Sequence, residues 1–417
     1  MAEAEGSGLR ICLLSYRSNP HSGGQGVYLD NLSHALKSLG HHVEVVSGPP
    51  DPRLSDGIPV HRLATLDLYD PANPFRTPTL RELCNPIHLI EWLGVSTAGF
   101  PEPFTFGLHA YRYMRTRFDR YDIVHDNQSL SYGLWAVDRH VPVTATIHHP
   151  ITVDRRLAIS AVRAPWKKFK QLRWHSFIGM QKRVAACLAK IITVSRRARA
   201  DISRNFGIET NRFAVVPNGI RTDLFYPLPG VPRQKGRIIV TNSSDTPLKG
   251  LYHLLKAVAA VGGGRNVRLM VVGRPKKGGG IERLIANLGI ADRVTFTGRI
   301  DHDEYVRQYA RAEMAVVPSV YEGFGLPAGE AMACGVPVIS TSGGALPEVV
   351  GDAGLLVPPE DPAALAGAIE TLYDHPHTAA ALGEAGRRRV RALFTWERAA
   401  RQTAAVYREI IDDHRRL

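Results

Sequence analysis

At 417 residues the chain has room for two cores, because single cores rarely grow past about 250–300 residues. A hydrophobic share of 44% with 22% charged residues excludes a disordered chain, and no apolar run nears the roughly 18 residues of a bilayer-spanning helix. Four scattered cysteines (Cys12, Cys84, Cys187, Cys334) exclude a disulfide framework or zinc knuckle, and the formal charge of +13 bears on partners rather than fold.

The opening "MAEAEGSGLRICLLSY" is acidic before a short apolar run, unlike a secretory signal, so a cytoplasmic location is expected. "RICLLSY" then reads as a strand running into the glycine loop "RSNPHSGGQG". Leu29, Leu32, Leu36 and Leu39 share one face of a following helix that Gly40 closes, and "HHVEVVSG" is a second strand. This is a βαβ unit of a parallel sheet. Further strands are expected at "YDIVHDN", "VPVTATIHH", "AKIITVS" and "RFAVVPNGI". Together they give a first doubly wound domain over residues 8–223. The proline-rich "FYPLPGVPRQKG" has linker composition. The grammar then restarts with "RIIVTN", "VRLMVVG", "RVTFTG", "EMAVVPS" and "VPVIS", a second Rossmann-like domain over 224–395. The tail, 396–417, reads as one long helix returning to the first domain. Open parallel sheets bind ligands at the carboxyl ends of their strands, so the α/β fold expected is two such domains facing across a cleft.

In "YEGFGLPAGEAMACG" (321–335), Pro327 begins a helix and Gly335 ends it. Free backbone N–H groups at such a start favour a phosphate. Glu322 and Glu330 would repel that phosphate, so they are read as acceptors for neutral hydroxyls, and a ligand carrying both is a nucleotide sugar. The bland alternative makes Glu322 a loop surface residue and Glu330 a helix-dipole partner.

The stretch from Tyr321 to Pro362 resembles the signature of retaining glycosyltransferases of the GT-B fold, glycosyl transferases group 1 of the family 4 type. The similarity extends through "VVPNGI", "PLKG" and "RVTFTG", and weakly through "SGGQG". It implies that Glu330 accepts from the donor ribose. Glu322 with the backbone of Gly323, Phe324 and Gly325 would hold the transferred sugar and distal phosphate, beside Leu326. Lys249 would neutralise the departing diphosphate, and Arg299 and Ile300, after "RVTFTG", would also line the donor site. The family's arginine six residues before the lysine is here Ser243, leaving Lys249 alone or with another cation such as Arg274.

In the first domain the resemblance places Gly23 and Gly24 against the phosphate and reacting sugar, and His148, rather than His149, near the reaction centre. Asn218 and Gly219 match the turn out of that domain, although Arg221 stands where an acid is usual. Asp301 and Asp303 in "DHDE" have metal-ligand spacing, but Asp301 with Glu304 also fits a helix cap. No metal or cofactor is expected.

From Arg155 to Ala200 the chain has thirteen Lys or Arg and no Asp or Glu, interleaved with Trp166, Phe169, Trp174 and Phe177. A solvated face, an anionic membrane surface and nucleic acid are the three readings. The aromatics and the absence of a recognisable nucleic-acid module favour lipid over nucleic acid. With the apolar "CNPIHLIEWLGVSTAGFPEPFTFGL", the segment points to an acceptor that is lipid-linked or otherwise partly apolar.

The reaction expected is transfer of a hexose from a nucleoside diphosphate sugar to an acceptor hydroxyl, with retention implied by the resemblance. A nucleotide-sugar epimerase or hydrolase, and a non-catalytic nucleotide-sugar sensor, stay open. A dehydrogenase does not fit, because neither glycine loop has the three-glycine pattern after a strand.

Overall fold

The structure is a computed structural model that describes residues 8–18, 24–52, 54, 57–70, 73, 76–160, 162–241 and 246–416. The chain divides into two compact units. One comprises Met1–Val194, Ala198–Val216 and Ala399–Leu417, the other Ser195–Arg197 and Pro217–Arg398. The last helix, Trp396–Arg415, therefore starts in the second unit and from Ala399 belongs to the first.

The first unit holds seven strands: β1 (Arg10–Ser15), β2 (His42–Ser47), β3 (Val60–Arg62), β4 (Ile123–Asn127), β5 (Val143–Ile147), β6 (Ile191–Thr193) and β7 (Phe213–Val215). All pairings are parallel, in the order β3-β2-β1-β4-β5-β6-β7. β4 and β5 are buried along their whole length. β5 (VTATI) accordingly carries no charged residue, and the buried polar groups of β4 are bonded within the protein, as His125 is to Thr146 Oγ1 at 2.7 Å and Asp126 to Leu130 N at 2.8 Å. Cys12, Leu14, Val124, Val143, Ala145 and Ile191 meet Phe106, Ala110, Met114, Leu134 and Ile202 in one core.

The second unit holds β8 (Gln234–Thr241), β9 (Arg268–Val272), β10 (Val294–Phe296), β11 (Ala312–Val317), β12 (Val338–Thr341) and β13 (Leu355–Val357), again all parallel, in the order β10-β9-β8-β11-β12-β13. β8 starts before the apolar run. Gln234–Gly236 join it because Gly236, at φ +74°, passes so close to Asn266 that a Cβ would lie 2.0 Å from its carbonyl oxygen.

In each sheet the order reverses beside the first strand: between β1 and β4, and between β8 and β11. Ligands of open parallel sheets sit outside the carboxyl ends at such switch points. Those ends carry Gly24 and Asn127 in the first unit, and the 247–250 turn and the 318–325 elbow in the second.

The tail helix is fastened to the first unit by a buried bond between the Tyr407 hydroxyl and His125 Nδ1 and by the more exposed ion pair of Lys190 with Glu409.

Candidate functional site

In the second unit the elbow follows β11. Leu326–Ala333 is helical with Pro327 in its first turn, no acidic residue there, and Gly325 as N-cap at φ +109°. Only glycine takes that backbone without strain, and a Cβ there would strike Leu346 Cδ2 at 2.7 Å. In that first turn Pro327 has no N–H and Ala328 N and Gly329 N donate to Gly325 O at 3.1 and 3.3 Å, while no carboxylate of the turn competes for an anion. The loop around it is tightly set: Glu322 O accepts from Ala345 N at 2.8 Å, Ser195 Oγ donates to Gly323 O at 2.8 Å, and Phe324 is buried. Gly344, at φ +64°, is so near that a Cβ would lie 2.1 Å from Glu322 O.

Lys249 arrives at this elbow from the turn Pro247–Lys249. Val320 N donates to Leu248 O at 2.8 Å, and Gly250, at φ +68°, passes Pro318 with room for no side chain, since a Cβ would lie 1.9 Å from its carbonyl oxygen. That docking brings Lys249 Nζ to 2.7 Å from Glu322 Oε1, which also accepts from Ser319 Oγ at 2.8 Å. The cation and the acid that the sequence reading assigned to separate parts of a ligand thus neutralise each other. Glu330, half-buried one turn into the helix, accepts from the Tyr305 hydroxyl at 3.0 Å. Tyr305 and Tyr309 also bond Thr241 at the end of β8. Desolvation raises the Glu330 carboxyl to about 7, against the lowering influence of the two tyrosines and Lys249.

Arg299 and Ile300 lie between β10 and the helix His302–Arg311, Arg299 exposed and Ile300 half-buried. Arg274 is exposed with its guanidinium over Gly298, where a Cβ would lie 2.8 Å from its Nε. Asp301 accepts from Glu304 N at 2.8 Å as the N-cap of that helix, so its carboxylate has a structural task. Among the described residues no group of three or more His, Cys, Asp or Glu is arranged to hold a metal. Gly219 lies where a Cβ would be 2.3 Å from Trp396 N, Asn218 beside it is buried, and Arg221 pairs with Asp223 at 2.6 Å. Gly23 and Ser243 lie outside the described residues.

In the first unit Gly24 opens the helix Gly24–Ser38, and His148 and His149 follow β5. His148 is held on every side. The Asn127 amide nitrogen donates to Ser15 Oγ and Gln25 O, so Asn127 Oδ1 accepts from His148 Nε2 at 2.8 Å. That fixes the Nε2–H tautomer. Tyr28 stands edge-on to the ring at 4.7 Å, and burial lowers the imidazole to about 3, leaving it neutral with its Nδ1 lone pair as acceptor. Gln128, at φ +61°, clamps both histidines: its Oε1 accepts from His148 N at 2.7 Å and its Nε2 donates to His149 O at 3.2 Å. His149 Nε2 meets Asp154 Oδ2 at 2.7 Å.

Several of these residues escaped the sequence reading: Tyr305, Tyr309, Ser319, Asn127, Gln128 and Asp154. Tyr305 and Tyr309, four apart on a helix, were the one pair with a local signal.

The profile described as glycosyl transferases group 1 matches residues 230–389, and that described as glycosyltransferase family 4 matches residues 22–224. An MMP alpha-(1->4)-mannosyltransferase from Mycolicibacterium hassiacum is 45% identical over 408 residues, which cover 97% of this chain and 98% of the relative. A D-inositol 3-phosphate glycosyltransferase from Streptomyces avermitilis is 29% identical over 443 residues, 98% of this chain and 89% of that one. Among solved structures, sucrose-phosphate synthase from Thermosynechococcus elongatus superposes with a TM-score of 0.74 at 28% identity, over 97% of this chain and 100% of that one.

Proposed function

Because the chain belongs to the group 1 glycosyltransferases of the GT-B fold, we propose that it moves a mannosyl residue from a nucleoside diphosphate sugar to an acceptor hydroxyl, with retention at the anomeric carbon. The choice of sugar and of an α product rests on the relative of 45% identity over nearly the whole of both chains. The observation that carries the donor reading is the Lys249 ammonium, 2.7 Å from Glu322, beside a helix start that has no acid in its first turn.

On this reading the main-chain N–H groups of the elbow from Gly323 to Leu326 and the Lys249 ammonium take the diphosphate. Charge on the leaving oxygen grows as the bond to the anomeric carbon breaks and is met by donors already in place. Glu322 accepts from hydroxyls of the transferred sugar, and Glu330 from the ribose. Neutral His148 has spent its N–H on Asn127, so it offers a sugar hydroxyl an acceptor, not a proton. Incubation with mannose diphosphates of uridine, guanosine and adenosine, with and without methyl α-mannoside, tests the proposal. An α-linked product by NMR supports it. Release of free sugar alone, or a changed sugar configuration, places the chain with hydrolases or epimerases, and tight binding without turnover makes it a sensor.

A place at an anionic membrane surface belongs to the same reading. In the helix Pro165–Trp174 no residue is buried; Trp166 and Phe169 are 66% and 69% exposed among Lys167, Lys168 and Lys170. Exposed aromatics set among cations fit the headgroup boundary. No helix among the described residues is long and apolar enough to cross a membrane. Flotation with anionic vesicles is expected, and its absence in vesicles rich in phosphatidylglycerol refutes this part.

A further inference from the structure

Four helices of the first unit, Ile151–Ser160, Pro165–Trp174, Ile178–Cys187 and Arg196–Phe206, contribute to a cavity of about 360 Å³. Arg155, Arg156 and Ile159 follow Thr152 by three, four and seven positions, so the four share one face of the first helix, and all line the cavity. Leu172, Lys182 and Asn205 come one from each of the other three helices. This lining shares no residue with that of the pocket beside the helix Gly24–Ser38, which includes His149 and Asp154.

The cavity is cationic, and the protein leaves its charge unanswered. Arg155 and Lys182 are half-buried and Arg156 is exposed, yet none of the three has a carboxylate partner among the described residues, and no acid is among the lining residues. Asp154, on the same helix as the two arginines, is taken by His149. The Lys182 ammonium lies 5.8 Å from the centre of the Phe206 ring. Thr152 is 5% exposed, and its Oγ1 has no hydrogen-bond partner among the described residues. By contrast Arg17, Lys190, Arg221 and Lys249 each pair with a carboxylate. Three like charges around one partly enclosed space repel, because water screens them less there than on an open surface. Folding gains nothing from that arrangement, whereas an anion in the cavity turns the repulsion into attraction.

We infer that this cavity binds a phosphate ester, with the phosphate on Arg155, Arg156 and Lys182 and the carbon part on Ile159 and Leu172. A phosphomonoester carries about −1.5 to −2 at pH 7, a charge that three cations match, and a guanidinium fork takes phosphate oxygens two at a time. Leu172 is 50% exposed and gives the cavity an apolar margin. Two sources offer this chemistry: a soluble phosphoester and the headgroup of an anionic lipid. The inference does not depend on the transferase reading, because no residue of the donor elbow takes part.

The test titrates the full chain with glycerol 3-phosphate in a calorimeter, on a Lys249→Met background that removes the cation of the elbow. Saturable binding is expected. Arg155→Gln with Arg156→Gln, and Lys182→Gln by itself, are each expected to raise the Kd about tenfold, the size of one charge-assisted hydrogen bond. These variants are expected to melt no lower than their parent, since they relieve a repulsion, and that separates lost binding from a lost fold. Lys167→Gln, Lys168→Gln and Lys170→Gln together leave the Kd within twofold, which separates the cavity from the general positive field of the segment. Flotation with phosphatidylcholine vesicles containing phosphatidic acid distinguishes the sources: its loss in the cavity variants assigns a lipid headgroup, and unchanged flotation beside a raised Kd assigns a soluble phosphoester. The inference is overturned if the cavity variants change neither the Kd by more than twofold nor flotation, if neither arm shows binding, or if the three surface lysines weaken glycerol 3-phosphate as much as the cavity variants do.

Discussion

Replacing Lys249 by methionine keeps the length of the side chain and removes only its charge. In the folded protein the ammonium has one carboxylate partner, Glu322 at 2.7 Å, and the lysine side chain is 33% exposed. A pair so open to solvent contributes about 0–1 kcal/mol to stability. Losing it lowers the Tm by no more than about 4 °C for a domain of this size. The transition state is another matter. A preorganised donor aimed at developing oxyanion charge is worth roughly 10²–10³ in kcat. Lys249→Met should therefore lose two to three orders of magnitude in kcat while melting close to the unaltered chain. Steady-state kinetics at saturating donor and a calorimetric scan of the same preparation provide the two readings. A kcat within threefold of the original, or a collapse of Tm in step with kcat, refutes a charge-neutralising role.

Gly250→Ala should destabilise by about 2 kcal/mol or more, through both the left-handed backbone and the collision with Pro318 O, and should weaken donor binding by shifting Lys249; denaturant unfolding and donor titration check this. With the Glu330 carboxyl raised to about 7, donor affinity should strengthen as pH rises from 6 to 8, because the anion is the better acceptor for ribose hydroxyls. Glu330→Gln should flatten that profile; an unchanged profile removes Glu330 from donor binding. Glu91 is 2% exposed, with Oε2 unpartnered and its carboxyl raised to about 7 by burial. The folded state then holds a proton that the unfolded chain releases near its ordinary value, so stability is full at low pH and falls as pH climbs to about 7, by on the order of 3 kcal/mol. Glu91→Gln should remove most of that slope in thermal scans between pH 5 and 8.

The parallel sheets could be read from the chain because strands buried on both faces show as short apolar runs, as residues 11–14 of β1 and 314–317 of β11 do. The elbow was readable because a proline start and a glycine stop are local rules, and so was the Asp301 cap. What stayed hidden is what the strand order creates. Lys249 and Glu322 are 73 positions apart and meet only because β8 and β11 are neighbours, and Tyr305 reaches Glu330 because the helices that carry them both pack on β11. His148 was expected near the reaction centre from the resemblance alone. Its neutrality comes from burial against Asn127 and Tyr28, which no spacing announces. The aromatic residues of 155–200 looked alike in sequence, yet Trp166 faces solvent whereas Trp174 lies on Phe100.

The Lys249–Glu322 contact makes the carboxylate a tethered rival of any diphosphate that binds there. On the proposed reading an incoming donor evicts it, which costs part of the attraction between phosphate and ammonium. On that reading the same rivalry works in reverse once the sugar has gone: as the spent nucleotide loosens, the carboxylate is at hand to pair with the ammonium again, so departure strands no bare charge. An enzyme built this way trades grip on its substrate for easy discharge of its by-product.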